Sequence, residues 1–332
     1  MALIKKLFVT SVVIAVVAVG GFSWWAKRPL TTGGPPIEFT VKPGSGIASA
    51  AQQMAQAGVP VNRFLFVLLA RVTGEAARIK AGSYELKPNT SARRLLQQLV
   101  RGEVAHEAIT IIEGWTFRQM RQAISGHPRV RQDTAGLSDA ELMAKISPEF
   151  KSPEGLFFPD TYLFPKDSSD LQIYRQAHQM MLNHLKSAWE KRDPNLPYKS
   201  PYDALIMASI VEKETGKKSE RAMIAGVFVN RLRTGMPLQT DPTVIYGMGD
   251  KFDGNIRKKD LETDTPYNTY RRYGLPPTPI ALPGIQSLAA ALAPAKTDAL
   301  YFVARGDGTS HFSGNLTEHN RAVNQYQRQG TQ

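Results

Sequence analysis

The sequence predicts an α+β protein: an N-terminal transmembrane helix, a small unit of strands and helices, and a larger domain of mixed helix and strand. Three observations carry that prediction. Residues 7–26 hold no charge, a run of about 20 residues that suits ~30 Å of hydrocarbon. Residues 38–106 alternate short strand-like and helix-like stretches between turn residues. From Asp203 onward, Ala204, Leu205, Ile206, Met207, Ala208, Ile210 and Val211 leave almost no polar face, so a buried helix is expected there.

Composition sets the outer limits. The 332 residues suit a membrane segment plus two modest domains, and 42% hydrophobic residues are enough for a real core. A net charge of +12 invites an anionic partner such as phospholipid headgroups or an acidic polymer. No basic run or basic–aromatic stripe stands out, so nucleic acid is not an expected partner. Cysteine is absent, which excludes disulfides and thiolate chemistry.

The elements follow in chain order. Residues 1–28 read as a short tail and a membrane anchor, with Lys5 and Lys6 before the apolar run and Trp24 and Trp25 at its interfacial end. Lys27 and Arg28 follow, so charge asymmetry orients the helix only slightly. A cleaved signal peptide is the alternative, but no small-x-small site precedes the tryptophans. Residues 29–37, rich in Gly and Pro, read as a linker.

In the 38–106 unit, Glu38–Val41 is a strand and Lys42–Gly46 a turn. Helices over 47–57 and 62–72 follow, the first ended by Gly58 and the second capped by Asn62. Residues 83–86 return as a strand, and a helix capped by Thr90 or Ser91 runs through Val100 to Gly102.

The larger domain, residues 107–330, opens with a strand at Ala108–Ile112. The run Glu154–Tyr162 is dense in aromatics; Phe157 and Phe158 read as core, and Glu154 and Asp160 as minor second-carboxylate candidates. Leu171–Lys191 is a long helix with His178 and His184 placed on the surface. Ser219 caps a helix through Arg233, which Gly235 ends. Leu300–Ala304 and Ser310–Ser313 form a hairpin around Gly306-Asp307-Gly308.

The chemistry points to Glu214. Residues three and four apart share a helix face, which places Glu214 below Ile206, Met207, Ile210 and Val211. A carboxyl at the end of an apolar stripe loses solvation, and its pKa rises. Such a group holds a proton near neutral pH and can give it to a leaving oxygen. Glu212 points to roughly the opposite side. The bland alternative is a solvated helix end with Glu214 paired to Lys218, although Gly216 is expected to stop the helix before that spacing forms. The six histidines lack metal-ligand spacing, and neither a Gly-x-Ser-x-Gly elbow nor a phosphate loop appears, so no metal or cofactor is expected.

Several motifs occur together in a fixed order: Ala208–Thr215, Val227–Leu232, Leu238–Gly247, Tyr267–Tyr270, Gly274–Pro277 and His319-Asn320. In these the chain resembles the endolytic murein transglycosylase (YceG-like) family over nearly its whole length. The resemblance implies a YceG-like catalytic domain over 107–330 and a LysM-like subdomain over 38–106, which either contacts glycan or spaces the catalytic domain from the membrane. It also implies a cytoplasmic N-terminus, with the remainder outside the inner membrane.

The implied activity is cleavage of peptidoglycan strands by one glutamate at the position of Glu214; a single carboxylate suffices when the nucleophile lies within the substrate. The implied work is on nascent strands beside peptidoglycan synthases. Amide, hydroxyl and aromatic groups suited to sugars then become substrate-binding candidates: Asn230, Gln239, Thr240, Asp241, Thr243, Tyr246, Tyr267, Asn268 and Tyr270. Tyr267–Tyr270 and Gly274–Pro283 are expected to be extended walls of a groove; for Gln239–Thr243 the alternative to sugar binding is a capping turn for the helix around Val244–Tyr246. Two rival functions stay open: a hydrolytic muramidase pairing Glu214 with Asp241, and a non-catalytic, membrane-tethered glycan-binding protein.

Overall fold

Mostly apolar residues at the N-terminus satisfy their backbone in a single long helix, α1 (Ala2–Lys27). The computed structural model describes residues 2–31 and 33–328. Met1, Thr32 of the expected linker, and residues 329 and 330 of the expected catalytic domain lie outside the described residues. The stretch Ile4–Lys27 has a mean hydropathy of 2.2 and is long and apolar enough to cross a membrane. Two compact units follow from the pattern of contacts: residues 1–107 with 163–167, and residues 108–162 with 168–332.

The first unit contains β1 (Ile37–Val41), α2 (Ile47–Gln56), α3 (Arg63–Val72), β2 (Gly82–Leu86) and α4 (Ala92–Arg101). The two strands pair antiparallel, Ile37 opposite Leu86 and Val41 opposite Gly82. Alternation along β2 sends Tyr84 and Leu86 inward, where they meet Met54, Phe66, Leu95 and Leu99. Asn62 caps α3 by accepting the Leu65 N–H, and Ser91 caps α4 by accepting that of Arg94. The end of α1 joins this core through Phe22, Trp25 and Ala26. The expected linker is partly fastened here, since Leu30 N–H donates to the Thr90 carbonyl at 2.9 Å.

The chain passes through β3 (His106–Thr110), two residues earlier than the strand expected at Ala108–Ile112. The second unit then builds α5 (Phe117–Ser125), β4 (Val130–Arg131) and α6 (Asp139–Ile146). Strand β5 (Thr161–Pro165) is shared, its residues from Leu163 on belonging to the first unit, and β6 (Ser168–Ser169) and α7 (Asp170–Glu190) belong to the second unit again. It continues with α8 (Pro201–Glu214), α9 (Arg221–Arg233), α10 (Asp241–Met248), α11 (Lys258–Glu262) and α12 (Ile285–Leu292). The antiparallel pair β7 (Tyr301–Ala304) and β8 (Ser310–Ser313) and then α13 (Leu316–Val323) end it.

Helices α5 and α6 lay outside the sequence-based expectation, although both start with capping boxes, Thr116/Gln119 and Ser138/Glu141. The helix α8 is the centre of the unit, packed against α7, α9, α10 and α12. Every residue from Ala204 to Val211 is buried, which explains its lack of a polar face.

Two expectations about this unit are corrected. His178 is buried at 4% exposure and hydrogen-bonds the Leu156 carbonyl at 2.9 Å, while half-buried His184 lies 4.2 Å from the Phe158 ring; neither is a free surface residue. Ser219 does not cap α9, because residues 218–220 form a separate tight turn and the helix starts at Arg221.

Candidate active site

Ser200 begins the site from a distance: its hydroxyl accepts the Asp203 N–H, and Pro201 occupies the first turn of α8. The helix then runs through the core and ends at Glu214. Thr215 adopts an extended conformation (φ −144°), so it stops the helix, rather than Gly216 as the sequence implied. Glu214 does not pair with Lys218. It opens into a cavity of about 630 Å³ lined by Arg231, Gln239, Asp241, Tyr270, Tyr301 and His319, among others.

Burial pushes the Glu214 carboxyl up to about 7. Asp241 nearby adds to this, whereas the Thr240 hydroxyl, which donates to Oε1, and the Arg231 charge favour the ionised form. Thr240 is itself fixed. Its N–H donates to Thr269 Oγ1 at 3.1 Å and its carbonyl accepts the Thr243 hydroxyl at 2.7 Å. With the Thr243 proton used there, Thr269 donates in the 2.9 Å contact between these two hydroxyls. The contacts among these three threonines fix the Thr240 backbone, from which its hydroxyl donates to the carboxylate.

Gln239 has a positive φ of 50°, a conformation that is uncommon for residues other than glycine, and presents its side chain to the cavity. Asp241, the first residue of α10, accepts the Tyr270 hydroxyl at 2.6 Å, so a second carboxylate and a phenol form the adjacent wall.

Arg231 is the cation of the site. It is buried, its Nε donates to the Leu300 carbonyl at 2.7 Å and its Nη1 to that of Leu238 at 2.6 Å. The guanidinium also lies 5.3 Å from the Tyr301 ring centre. It is part of a seam along α9. A Cβ at Gly226 would meet the Ala295 carbonyl oxygen at 2.7 Å, and Asn230 Nδ2 donates to the carbonyls of Thr297 (2.7 Å) and Ala299 (3.1 Å). This seam feeds the chain into β7, which with α13 supplies the far wall: Tyr301, His319 and Asn320, the His319 ring stacked on Tyr301 at 5.1 Å.

The nine residues expected to bind substrate therefore divide. Gln239, Asp241 and Tyr270 line the cavity with Glu214, and Thr240 reaches the carboxylate from beneath. Three expectations are revised. Asn230 is engaged with backbone carbonyls, buried Thr243 with Thr240 and Thr269, and buried Asn268 with the carbonyls of Asp260, Leu261 and Thr263. Tyr246 and Tyr267 line a different cavity of about 500 Å³ beside Glu154. Tyr267–Tyr270 and Gly274–Pro283 form turns and loops instead of extended walls.

Arg231 and His319 were missed as site residues, although both lie inside the recurring motifs; nothing in their local pattern says which face meets Glu214. Among the described residues, no group of three His, Asp or Glu is placed to hold a metal ion.

The YceG-like family model matches residues 39–325. An endolytic murein transglycosylase of Bacillus subtilis (strain 168) is 34% identical over 307 residues, covering 87% of this chain and 84% of that protein. Another from Streptococcus pneumoniae (strain D39) is 28% identical over 336 residues; the match covers 90% of this chain but 58% of that longer relative. The crystal structure of a yceG-like protein from Listeria monocytogenes aligns with a TM-score of 0.55 at 32% identity, covering 86% of this chain and 98% of that one.

Proposed function

The chain belongs to the YceG-like family, and from that premise we propose that it is a membrane-anchored endolytic peptidoglycan lytic transglycosylase. The observation that carries the reading is the Glu214 carboxyl, held near neutral pKa at the floor of a cavity large enough for sugar rings. Its substrate is the bond between N-acetylmuramic acid and N-acetylglucosamine in a glycan strand.

The reaction starts with Glu214 protonated. It gives its proton to the glycosidic oxygen, the bond breaks, and positive charge develops at the muramic anomeric carbon, helped by the neighbouring N-acetyl group. The carboxylate left behind gains the Thr240 hydrogen bond and the Arg231 charge at full strength, which lowers the energy of the ionised state as it forms. Glu214 then takes the proton from the muramic 6-hydroxyl as that oxygen attacks its own ring. The proton count closes, no water is consumed, and a 1,6-anhydro end results. Intramolecular attack has a high effective concentration, so a site with one acid and no second nucleophile suffices.

In this reading residues 7–26 anchor the enzyme in the cytoplasmic membrane, which the apolar length of α1 supports, and both units lie on its outer side, which the family resemblance implies. In that position it cuts nascent strands close to the synthases that extend them, which sets strand length. The strand–helix–helix–strand order of residues 38–106 supports a LysM-like role in glycan contact.

Mass spectrometry of sacculi digested by the full-length protein in detergent tests the reading. Anhydromuramic ends are the expected product. Reducing ends would instead make the protein a hydrolase, with Asp241 as the second carboxylate, and the absence of new ends would make it a glycan-binding protein.

A further inference from the structure

The reaction above leaves several buried acids unused, among them Glu154. Glu154 is 4% exposed and lies outside the cavity that holds Glu214. Its Oε1 accepts the Phe117 N–H, at the start of α5, at 2.9 Å, and its Oε2 accepts the Tyr246 hydroxyl at 3.0 Å. Tyr202 on α8 and Asp139 on α6 are the other titratable groups that feel its charge. A buried carboxyl so fully partnered is suited to holding elements in place.

The elements it holds are those that meet at the acid. Tyr246 sits on α10, whose N-terminal neighbour Thr240 donates to Glu214. The turn after Glu154 is fastened toward α8: Gly155 has φ +78°, and a Cβ there would meet Pro279 at 2.4 Å. The adjoining Ile280 N–H donates to Ser209 Oγ, on α8, at 3.0 Å. Glu154 is thus linked to both helices whose ends form the Thr240–Glu214 contact. Tyr246 lies about 8 Å along the α10 axis from Asp241, by the 1.5 Å rise per residue, so a shift at one end of this short helix is felt at the other.

Building on the assignment of Glu214 as the acid, we propose that Glu154 and Tyr246 are positioning residues for it, setting the Thr240–Glu214 hydrogen bond through α10.

The test compares Tyr246→Phe and Glu154→Gln with Thr240→Val, each as full-length protein in detergent. Scission is counted as total new strand ends, so hydrolytic ends would sink the transglycosylase reading and leave this comparison intact. Both positioning variants are expected to lose about tenfold in kcat while KM stays within about twofold, the signature of a lost transition-state contact. Because the Thr240 hydrogen bond favours ionised Glu214, loosening it raises the Glu214 pKa. The alkaline limb of kcat/KM therefore moves to higher pH, by about half a unit, as in Thr240→Val.

Adding Tyr246→Phe to Thr240→Val is expected to cost nothing further, since both act on one contact. Parental kcat in both variants, an unmoved limb, or full additivity with Thr240→Val would overturn the proposal. A merely structural role would lower the melting temperature and leave the limb in place.

Discussion

The two sides of the C-terminal end of α8 treat the same side chain in opposite ways. On one side Glu212 is 5% exposed, forms a 2.8 Å ion pair with equally buried Arg221, and accepts the Gly284 N–H at 2.9 Å. On the other, two residues along, Glu214 opens into a cavity with one hydroxyl donor and a cation whose Nε and Nη1 already serve backbone carbonyls. Both are withdrawn from bulk water, Glu212 the more fully. What differs is compensation: a matched charge makes a strut, and an incompletely matched one makes an acid.

Removing Glu214 is the strongest way to sharpen that contrast. Glu214→Gln is expected to lower the rate of strand scission by ~10²–10⁴-fold, the usual contribution of a positioned proton donor, without lowering the melting temperature. A variant that cut sacculi at the parental rate would remove Glu214 from the chemistry. Glu212→Ala should do the reverse. It strands Arg221, whose Nε and Nη1 already lack partners, as an unpaired buried charge. A loss of about 3–5 kcal/mol in urea unfolding is expected, while scission per folded molecule changes far less than in Glu214→Gln. A stable, inactive Glu212→Ala would reverse the two roles.

This contrast was only half legible in the sequence. The period of 3.6 placed Glu212 and Glu214 on different faces, and the run Ala204–Val211 announced a buried helix. Nothing local could show that Arg221 would meet Glu212, because that contact depends on how α9 turns back after residues 218–220. Asn230 shows the same limit. A helical Asn is a poor helix former and therefore draws attention as a ligand, yet its partners are carbonyls almost 70 positions away. Arg231 carries no local signal of its role, since a basic residue in a helix usually faces solvent. Strand and cap signals fared better in the first unit, where Asn62 and Ser91 act within three residues of themselves.

A milder perturbation probes the far wall. Asn230→Ala removes both hydrogen bonds that hold residues 297 and 299 against α9, upstream of β7. It leaves two carbonyls without these donors, at a cost of about 1–3 kcal/mol in stability. Since Tyr301 and His319 hang on that wall and the acid does not, KM for strands is expected to rise more than kcat falls. A fall in kcat alone, with KM unchanged, would mean that the wall acts on the acid after all.

The smallest effect is a matter of sign. Glu214 titrates at about 7 in the folded protein against an ordinary value of 4.5, so between those limits the native state binds more protons than the unfolded chain. The stability contribution of this carboxyl therefore falls as pH rises through that window and is level above it. Glutamine does not titrate. The melting temperature of Glu214→Gln relative to the parent should accordingly climb from about pH 5 to about pH 7 and then flatten, by a few degrees at most because the side chain is only half-buried. Glu154, also pushed up to about 7, titrates in both proteins and cancels in the difference. Differential scanning calorimetry across this range reads the slope directly. A flat difference would mean that water reaches the Glu214 carboxyl as freely as in the unfolded chain, and a declining one that Thr240 and Arg231 outweigh burial; in either case the distinction between strut and acid at the end of α8 would rest on geometry alone.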